Sequence, residues 1–325
     1  AVACLFSDVD GTLVHYYEGP DEDKAPKPDV ALALPASKTG RRGFISKQTL
    51  HLAARIRAAG TKFVVVSGMR YSTFADRLSF LPYADAYVIE NGGRIFYPPD
   101  ESSSASAGGY SDSGGSGGSG GSGEEPLPPT GPLSSQLRED MDWRALLADA
   151  CGPPQVDSLP PAKRSGPLWD LYRRLRSAGW EVDTAHYHTM IRINAAQRGS
   201  GGGQELERIL ADLPSELQRT SNFGLVDVLP AASGKRNVAA YLARRRFETR
   251  LEECAALGDD DNDIELALSA GQGAFLTGFT SASVAEAAAR TPDHFRVATT
   301  AGVRAADEML AAVLLACCGR EKSPG

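Results

Sequence analysis

Continuous runs of apolar residues mark the first strands of this chain. Residues 2–6 form one run, and residues 62–66 form a second in which Lys62 is the polar member. Runs without alternation are typical of strands buried on both faces of a parallel sheet. Between them the pattern predicts a helix that begins after Ser46, a good N-cap, and ends at Gly60. Strand, helix and strand form a right-handed crossover unit, so we expect an α/β fold.

Two further patterns shape the first part of the chain. Residues 16–43 are polar and contain prolines, and we expect a loop inserted after the first strand. Residues 86–89 form another apolar run, followed by the turn signal Asn91-Gly92 and by the strand-like residues 94–97. An Asn-Gly turn between two strands predicts a hairpin.

The composition changes sharply after this hairpin. Residues 98–135 consist largely of Ser, Gly and Pro, and Gly-Gly-Ser repeats between residues 111 and 123. A segment of this composition cannot pack a core and behaves as a flexible coil. We therefore expect a linker over residues 98–135.

A second globular part, predicted to be a small α+β domain over residues 136–223, follows the linker. Its predicted elements are helices at 136–150, 168–178 and 205–213, a strand at 189–193 and a closing strand at 224–229. Strands and helices then alternate again, so we expect residues 1–97 and 224–325 to form one core with the smaller domain inserted. A length of 325 residues agrees with two domains.

Charge and composition exclude several classes of protein. The formal net charge of −7 gives no support to nucleic acid as a partner. No apolar stretch approaches the roughly 18 residues of a membrane span, so we expect no membrane partner. The five cysteines never stand in Cys-x-x-Cys spacing, which favours a reducing compartment, the cytoplasm or an organelle stroma. The chain begins with Ala1 and enters a strand at once, so we expect any targeting peptide to have been removed.

Acidic side chains directly follow two of the predicted strands. Asp8 and Asp10 follow the first strand, and residues 259–263 contain four aspartates after the apolar strand 254–257. Open α/β sheets bind ligands at the carboxyl ends of their strands. Carboxylates this close repel one another unless a cation is present, and a hard divalent ion with oxygen ligands removes the repulsion. The pattern predicts a metal site.

Two further segments have the chemistry of an anion site. Ser67 and Gly68 follow the second strand, where a hydroxyl and backbone N–H groups form an anion cradle, and Arg70 lies close by. Lys235 opens a predicted helix. Alone, these residues also fit a helix cap and a surface lysine. Together with the acids they complete the set for metal-assisted phosphoryl transfer through an aspartyl phosphate.

The four segments, in this order, resemble the four motifs of the haloacid dehalogenase (HAD) superfamily. The matching residues are Asp8-Val9-Asp10-Gly11-Thr12, Ser67, Lys235, and Gly258-Asp259 through Asn262-Asp263. The inserted domain and Glu90-Asn91-Gly92-Gly93 resemble the type IIB (Cof-type) subgroup, and residues 226–235 are similar to its sucrose-phosphate phosphatase branch. The second motif departs from the usual pattern by an extra Met69. The resemblance implies a Rossmann-like, doubly wound parallel-sheet core with an α+β cap that reads the substrate.

The resemblance also implies a role for each motif residue. Asp8 is the expected nucleophile and a magnesium ligand, and Asp10 the general acid and base, with its backbone carbonyl on the metal. Asp259 completes the expected protein ligands of Mg²⁺. The residues expected to bind phosphate or substrate are Thr12, Ser67, Gly68, Arg70, Lys235, Asn262 and Asp263. The implied activity is Mg²⁺-dependent hydrolysis of a small phosphate ester, with a sugar phosphate as the expected substrate.

Two other functions remain open. A phosphomannomutase-like enzyme needs several cations in its cap, for which Arg192 and Arg198 are candidates. The other hypothesis is a non-catalytic binding protein on the same scaffold. It predicts that acidic motif residues have been lost, but all of them are present. His186 and His188 share one face of a predicted cap strand, which fits a metal pair, a substrate-lining role or plain packing.

Overall fold

The computed structural model of this chain describes residues 2–17, 24–36, 40–99, 127–222 and 224–318. The strands in these ranges are β1 (Cys4–Ser7), β2 (His15–Tyr16), β3 (Ala31–Ala33), β4 (Gly43–Ser46), β5 (Lys62–Val66), β6 (Ala86–Ile89), β7 (Arg94–Tyr97), β8 (Arg138–Glu139), β9 (Val182–Asp183), β10 (Ile191–Ile193), β11 (Leu217–Asn222), β12 (Leu225–Pro230), β13 (Cys254–Gly258), β14 (Ala274–Leu276) and β15 (Phe295–Val297). The helices are α1 (Lys47–Ala58), α2 (Tyr71–Arg77), α3 (Met141–Leu146), α4 (Ala148–Cys151), α5 (Pro167–Ser177), α6 (Gly202–Leu210), α7 (Lys235–Arg246), α8 (Ile264–Ser269), α9 (Ala282–Arg290) and α10 (Val303–Cys318). None of these helices is long and apolar enough to cross a bilayer.

The central sheet is built from strands that are buried on both faces. Its order is β15-β14-β13-β1-β5-β6-β7-β8, parallel from β15 to β6 and antiparallel at β7 and β8. Leu5 and Val65 pack with α1 and α10 on one face, while Phe6 and Val64 pack with α7 and α8 on the other. Because helices cover both faces, the prediction of an α/β fold with a doubly wound parallel sheet is confirmed.

The segment 16–43, expected to be a loop, contains strands. β2 and β3 both pair antiparallel with β4, in the order β2-β4-β3. The expectation of a loop is therefore wrong for the described residues of this segment. Pro26, Pro28 and Pro35 lie outside the paired residues and so remove no ladder hydrogen bond, and the buried Leu34 and Ile45 join the apolar core beneath the small sheet.

The inserted domain contains a four-stranded antiparallel sheet of order β11-β12-β10-β9. Four leucines of α5 and α6 pack on one face of this sheet: Leu171, Leu175, Leu206 and Leu210. Its other face carries Asp183, Arg192 and Asp227, which stand side by side on β9, β10 and β12. This polar face turns toward the core, since Asn91 of the core donates a hydrogen bond to Asp227.

Strand pairing shifts two segments across the expected domain boundaries. β12 contains the predicted closing strand of the inserted domain and pairs with β10 and β11 in the cap sheet, although the expected boundary placed residues 224–325 in the core. β8 lies within the expected cap 136–223 but extends the core sheet beside β7. The helix expected from residue 136 begins at Met141, because Asp140 caps it by accepting from Trp143 N at 2.9 Å. The hydrophobic pattern of a strand predicts the strand but not the sheet edge with which it pairs.

The expected linker 98–135 is described in part. Residues 100–126, which include the Gly-Gly-Ser repeat, lie outside the described residues. Gly131 N donates to Leu81 O at 2.8 Å, and Tyr83 N donates to Pro129 O at 3.2 Å. The end of this segment therefore pairs with the folded core.

Candidate active site

The strand order brings three of the predicted motifs to one edge of the central sheet. β1 lies between β13 and β5, and the three strands are parallel. Asp8, Asp259 and Ser67 directly follow β1, β13 and β5. Because the carboxyl ends of parallel strands meet at one edge, residues that are far apart in sequence become neighbours there.

Three buried carboxylates lie together at this edge. One oxygen from each of Asp8, Asp259 and Asp263 lies within 4.8 Å of the other two. Burial raises the pKa of Asp8 and of Asp259 well above their ordinary values, and the neighbouring carboxylates raise both further. The cluster therefore requires positive charge for all three groups to ionise.

Lys235 supplies one positive charge to this cluster. Its Nζ donates to Asp8 Oδ1 at 2.6 Å and to Asp263 Oδ1 at 2.7 Å. Burial alone would lower the pKa of Lys235, but the two carboxylates outweigh it and hold the pKa above its usual value. Asp263 is fixed in turn, because its Oδ2 accepts from the N–H groups of Asp259 and Asp260 at 3.2 and 3.3 Å. One ammonium thus faces three carboxylates.

The remaining negative charge and an unpaired oxygen fit a divalent cation. Asp259 Oδ1 accepts from Thr12 Oγ1 at 2.7 Å, while its buried Oδ2 has no hydrogen-bond partner in the described residues. Gly11 keeps the space beside that oxygen open, since a Cβ there would lie 2.1 Å from Oδ2. Mg²⁺ prefers carboxylate oxygens and water as ligands. Asp8 and Asp259 fit it best, because Asp263 already uses both of its oxygens.

The carboxylate of Asp10 lies outside this cluster of three. Its Oδ1 accepts a hydrogen bond from Arg77 Nη1 at 3.0 Å and another from the hydroxyl of Tyr16. The predicted metal ligands Asp8 and Asp259 are thus brought together, whereas the side chain of Asp10 is not part of that group. Neither Arg77 nor Tyr16 is a predicted site residue, and no motif in the sequence marks either of them.

The second motif is divided between the site and the cap. Ser67 is buried, and its Oγ accepts from Met69 N at 3.1 Å across the turn that contains Gly68. Arg70 instead binds Asp183 of β9 at 2.5 Å. The contacts of the Arg70 guanidinium are with the cap, at Asp183 and the carbonyl of Ala185, and so differ from the phosphate-binding role expected for it.

A chain of hydrogen bonds joins the fourth motif to the cap. Asn262 Nδ2 donates to Asn91 Oδ1 at 2.9 Å, and Asn91 Nδ2 donates to Asp227 Oδ2 at 2.8 Å. Asp227 is fully buried and receives two hydrogen bonds from Arg192 at 2.6 and 2.7 Å. Asn91 and Asp227 are additional site residues beyond those predicted. The Asn91-Gly92 turn is their sequence signal, since Asn91 tolerates the left-handed φ of 52° that turns its side chain inward.

The two cap histidines do not share a site. The residues before β10 form turns, so the alternation that would place both on one face is absent. His188 Nδ1 lies 3.6 Å from Asp157 Oδ2, whereas His186 has a left-handed φ of 59°. Neither belongs to a group of potential metal ligands in the described part of the chain.

A polar cleft between cap and core adjoins Lys235. Gln218 and Thr220 line it from the cap, and Asn91 and Asn262 line it from the core. Amide and hydroxyl groups both donate and accept hydrogen bonds, as the hydroxyl groups of a ligand do. The cleft therefore suits a polar organic group bound next to Lys235.

Sequence comparison gives one partial match. A family model described as sucrose-6F-phosphate phosphohydrolase matches residues 204–313, about a third of the chain. The matched part contains Lys235 and the acidic residues 259–263 but not Asp8. No curated protein sequence matches the chain.

Solved structures share nearly the whole fold at low sequence identity. Sucrose-phosphatase from Synechocystis sp. PCC6803, in complex with sucrose and phosphate, has a TM-score of 0.58 at 14% identity and covers 96% of this chain and 97% of its own. A HAD subclass IIB sugar phosphatase has a TM-score of 0.52 at 14% identity, with 95% and 97% covered. A HAD-superfamily phosphatase from Bacteroides thetaiotaomicron has a TM-score of 0.50 at 16% identity, with 97% and 96% covered. At these identities the likeness establishes the fold.

Proposed function

We propose that this chain, which has the fold of the type IIB haloacid dehalogenase (HAD) phosphatases, hydrolyses a small phosphate ester through an aspartyl phosphate on Asp8. The resemblance seen in the motifs is confirmed by the family-model match and by the shared fold, and both support a phosphoric monoester hydrolase. One observation carries the proposal. Asp8 is a buried carboxylate at a strand end, with the ammonium of Lys235 at 2.6 Å and the carboxylate of Asp259 beside it.

The residues around Asp8 divide the reaction between them. In the first step an oxygen of Asp8 bonds to phosphorus, and the bond from phosphorus to the leaving oxygen breaks as Asp10 gives that oxygen a proton. In the second step Asp10 takes a proton from water, which attacks phosphorus and releases Asp8. Lys235 stabilises the charge on the phosphoryl oxygens, and Ser67 and Gly68 bind the phosphoryl group from the neighbouring strand end.

A divalent cation belongs to the proposal. Mg²⁺ held by Asp8 and Asp259 would offset the charge of the carboxylates and of the incoming phosphate. The buried, unpaired Oδ2 of Asp259 supports this assignment.

We infer a sugar phosphate as the substrate from the polar cleft beside Lys235. A hydroxyl-rich leaving group would donate to the buried Oδ1 of Asn262, which accepts no hydrogen bond from the described residues, and would pair with the hydroxyl of Thr220. An apolar group would leave that oxygen without a partner. The sucrose and phosphate bound to the Synechocystis protein agree with this choice of substrate class.

The alternative mutase function has less support. Its two cationic candidates are both paired inside the cap, Arg192 with Asp227 at 2.6 Å and Arg198 with Glu205 at 2.7 Å. A mutase must hold a second phosphate, and that requires cations that are not already neutralised. Hydrolysis fits the described cap better.

The test is phosphate release from a panel of sugar phosphates with Mg²⁺, comparing the unchanged chain with Asp8→Asn. We expect turnover of at least one ester and its loss in the variant. Asp293→Asn is the matched control, because Asp293 is exposed and far along the chain from the motifs. A folded protein that releases no phosphate from any ester, or an Asp8→Asn variant that remains active, would overturn the proposal. Transfer of phosphate between two positions of one sugar would support the mutase.

A further inference from the structure

The carboxylate of Asp10 is held on one side only. Its Oδ1 accepts both of its hydrogen bonds, from Arg77 Nη1 at 3.0 Å and from the Tyr16 hydroxyl, while Oδ2 accepts none from the described residues. Arg77 Nη1 also donates to the Tyr16 hydroxyl at 2.7 Å. The three groups therefore form a closed triangle that fixes the plane and direction of the carboxyl group.

The burial of Arg77 shows how strongly this triangle is enclosed. Its side chain is 1% exposed, and Asp10 is its ion-pair partner in the described residues. Its Nε and Nη2 donate no hydrogen bond there. Burying a guanidinium costs free energy that one ion pair does not fully return. A purely structural role would be met at lower cost by an apolar side chain of similar size.

Tyr16 is equally constrained. The guanidinium carbons of Arg41 and Arg77 lie 4.2 and 5.7 Å from its ring centroid. It belongs to β2 of the small sheet, whereas Arg77 ends α2, so two separate elements converge on one oxygen of Asp10. Their side-chain hydrogen bonds in the described residues go to Asp10 and to each other, and not to Asp8, Asp259 or Asp263.

We propose that Tyr16 and Arg77 are positioning residues that anchor Oδ1 of Asp10 and so aim its Oδ2 at the leaving oxygen of the substrate. This inference rests on the proposed function. The proton moves from Oδ2 of Asp10 to the leaving oxygen as the phosphorus–oxygen bond breaks and the bond to Asp8 forms. In the second step a proton of the attacking water returns to the same Oδ2. Oδ1 keeps its two donors throughout, since a neutral carboxyl group still accepts hydrogen bonds at its carbonyl oxygen.

The test compares two kinds of phosphate ester. The leaving oxygen of an alkyl or sugar ester needs a proton, whereas p-nitrophenolate departs as a stable anion and depends little on a general acid. Asp10→Asn sets the reference. The comparison uses kcat/KM, which reports the steps up to departure of the leaving oxygen, because hydrolysis of the aspartyl phosphate is the same step for both esters. For Asp10→Asn we expect kcat/KM to fall about 10²- to 10⁴-fold on the sugar ester and much less on p-nitrophenyl phosphate. Tyr16→Phe and Arg77→Met should follow the same pattern, with losses in kcat/KM of roughly tenfold to a hundredfold on the sugar ester, because a small misplacement of a reacting group costs this much.

Two controls separate positioning from structure. Tyr17→Phe, the neighbouring residue, removes a hydroxyl that accepts from Val303 N at 3.1 Å and does not contact Asp10, so both esters should react as with the unchanged chain. Arg77→Lys keeps the charge and should restore part of the sugar-ester kcat/KM. If Tyr16→Phe and Arg77→Met lower kcat/KM equally on both esters, or leave both unchanged, the anchor is refuted. If the unchanged chain hydrolyses neither ester, or Asp8→Asn remains active, the proposed function fails and the anchor fails with it.

Discussion

The buried ion pair between Asp227 and Arg192 offers the sharpest test of how the cap is held together. Asp227 is fully buried, receives both hydrogen bonds of the Arg192 guanidinium, and accepts a further one from Asn91 of the core. Asp227→Ala therefore removes three hydrogen bonds and leaves a guanidinium that is 16% exposed without its carboxylate.

The expected loss follows from that burial. Breaking a buried ion pair by removing one partner costs about 3–5 kcal/mol, because the remaining charge stays desolvated. Arg192 keeps some access to water, so we expect about 3 kcal/mol for Asp227→Ala. Replacing both residues by leucine removes both charges together, and this double variant should recover most of the loss.

The assay is urea unfolding monitored by the fluorescence of Trp169 and Trp180, which are both fully buried in the cap. Asp170→Ala is the control, because Asp170 also pairs with an arginine but is 70% exposed; its cost should stay below about 1 kcal/mol. A loss under about 1 kcal/mol for Asp227→Ala, or a double variant as unstable as the sum of the single ones, would refute the argument.

Four further predictions concern the site. Gly11→Ala should weaken Mg²⁺ binding at least about tenfold by calorimetry, because its Cβ would lie 2.1 Å from Asp259 Oδ2 and the φ of +87° disfavours any side chain; unchanged affinity would contradict this geometry. Phosphate release should stop after dialysis against excess EDTA and return with Mg²⁺, so activity that persists in EDTA would show the metal assignment to be wrong. Lys235→Met should abolish turnover while Mg²⁺ still binds. If this variant keeps the kcat of the unchanged chain, Lys235 is not part of the active site. Burial lowers the pKa of His15 from 6.5 to about 4. Between pH 4 and 6.5 the His15 imidazole is therefore protonated in the unfolded chain and neutral in the folded chain. Its contribution to the free energy of unfolding is fully present above pH 6.5 and is lost as the pH decreases toward 4, by at most about 3 kcal/mol. His15→Gln should remove this part of the pH dependence, measured by urea unfolding across that range.

The sequence by itself determines the core of this protein and the chemistry at its edge. The apolar runs at residues 2–6 and 62–66 are too continuous for a half-exposed strand, so burial between two helix layers follows from their composition. Once the strands are parallel, residues directly after them must meet at one edge. This is why the sequence alone places Asp8, Ser67 and Asp259 at one edge of the sheet.

Tertiary structure alone decides which side chains bind each other across that edge. Arg77 reaches Asp10 over 67 positions of sequence, and Asn91 reaches Asp227 over 136, and such partners leave no local pattern of hydrophobicity or spacing. The same is true of β12. Its apolar run fits either sheet, and it joins the cap sheet because its backbone groups form hydrogen bonds with the edges of β10 and β11. Local sequence fixes what a segment can form, whereas its partner depends on which unsatisfied groups the rest of the fold brings within reach.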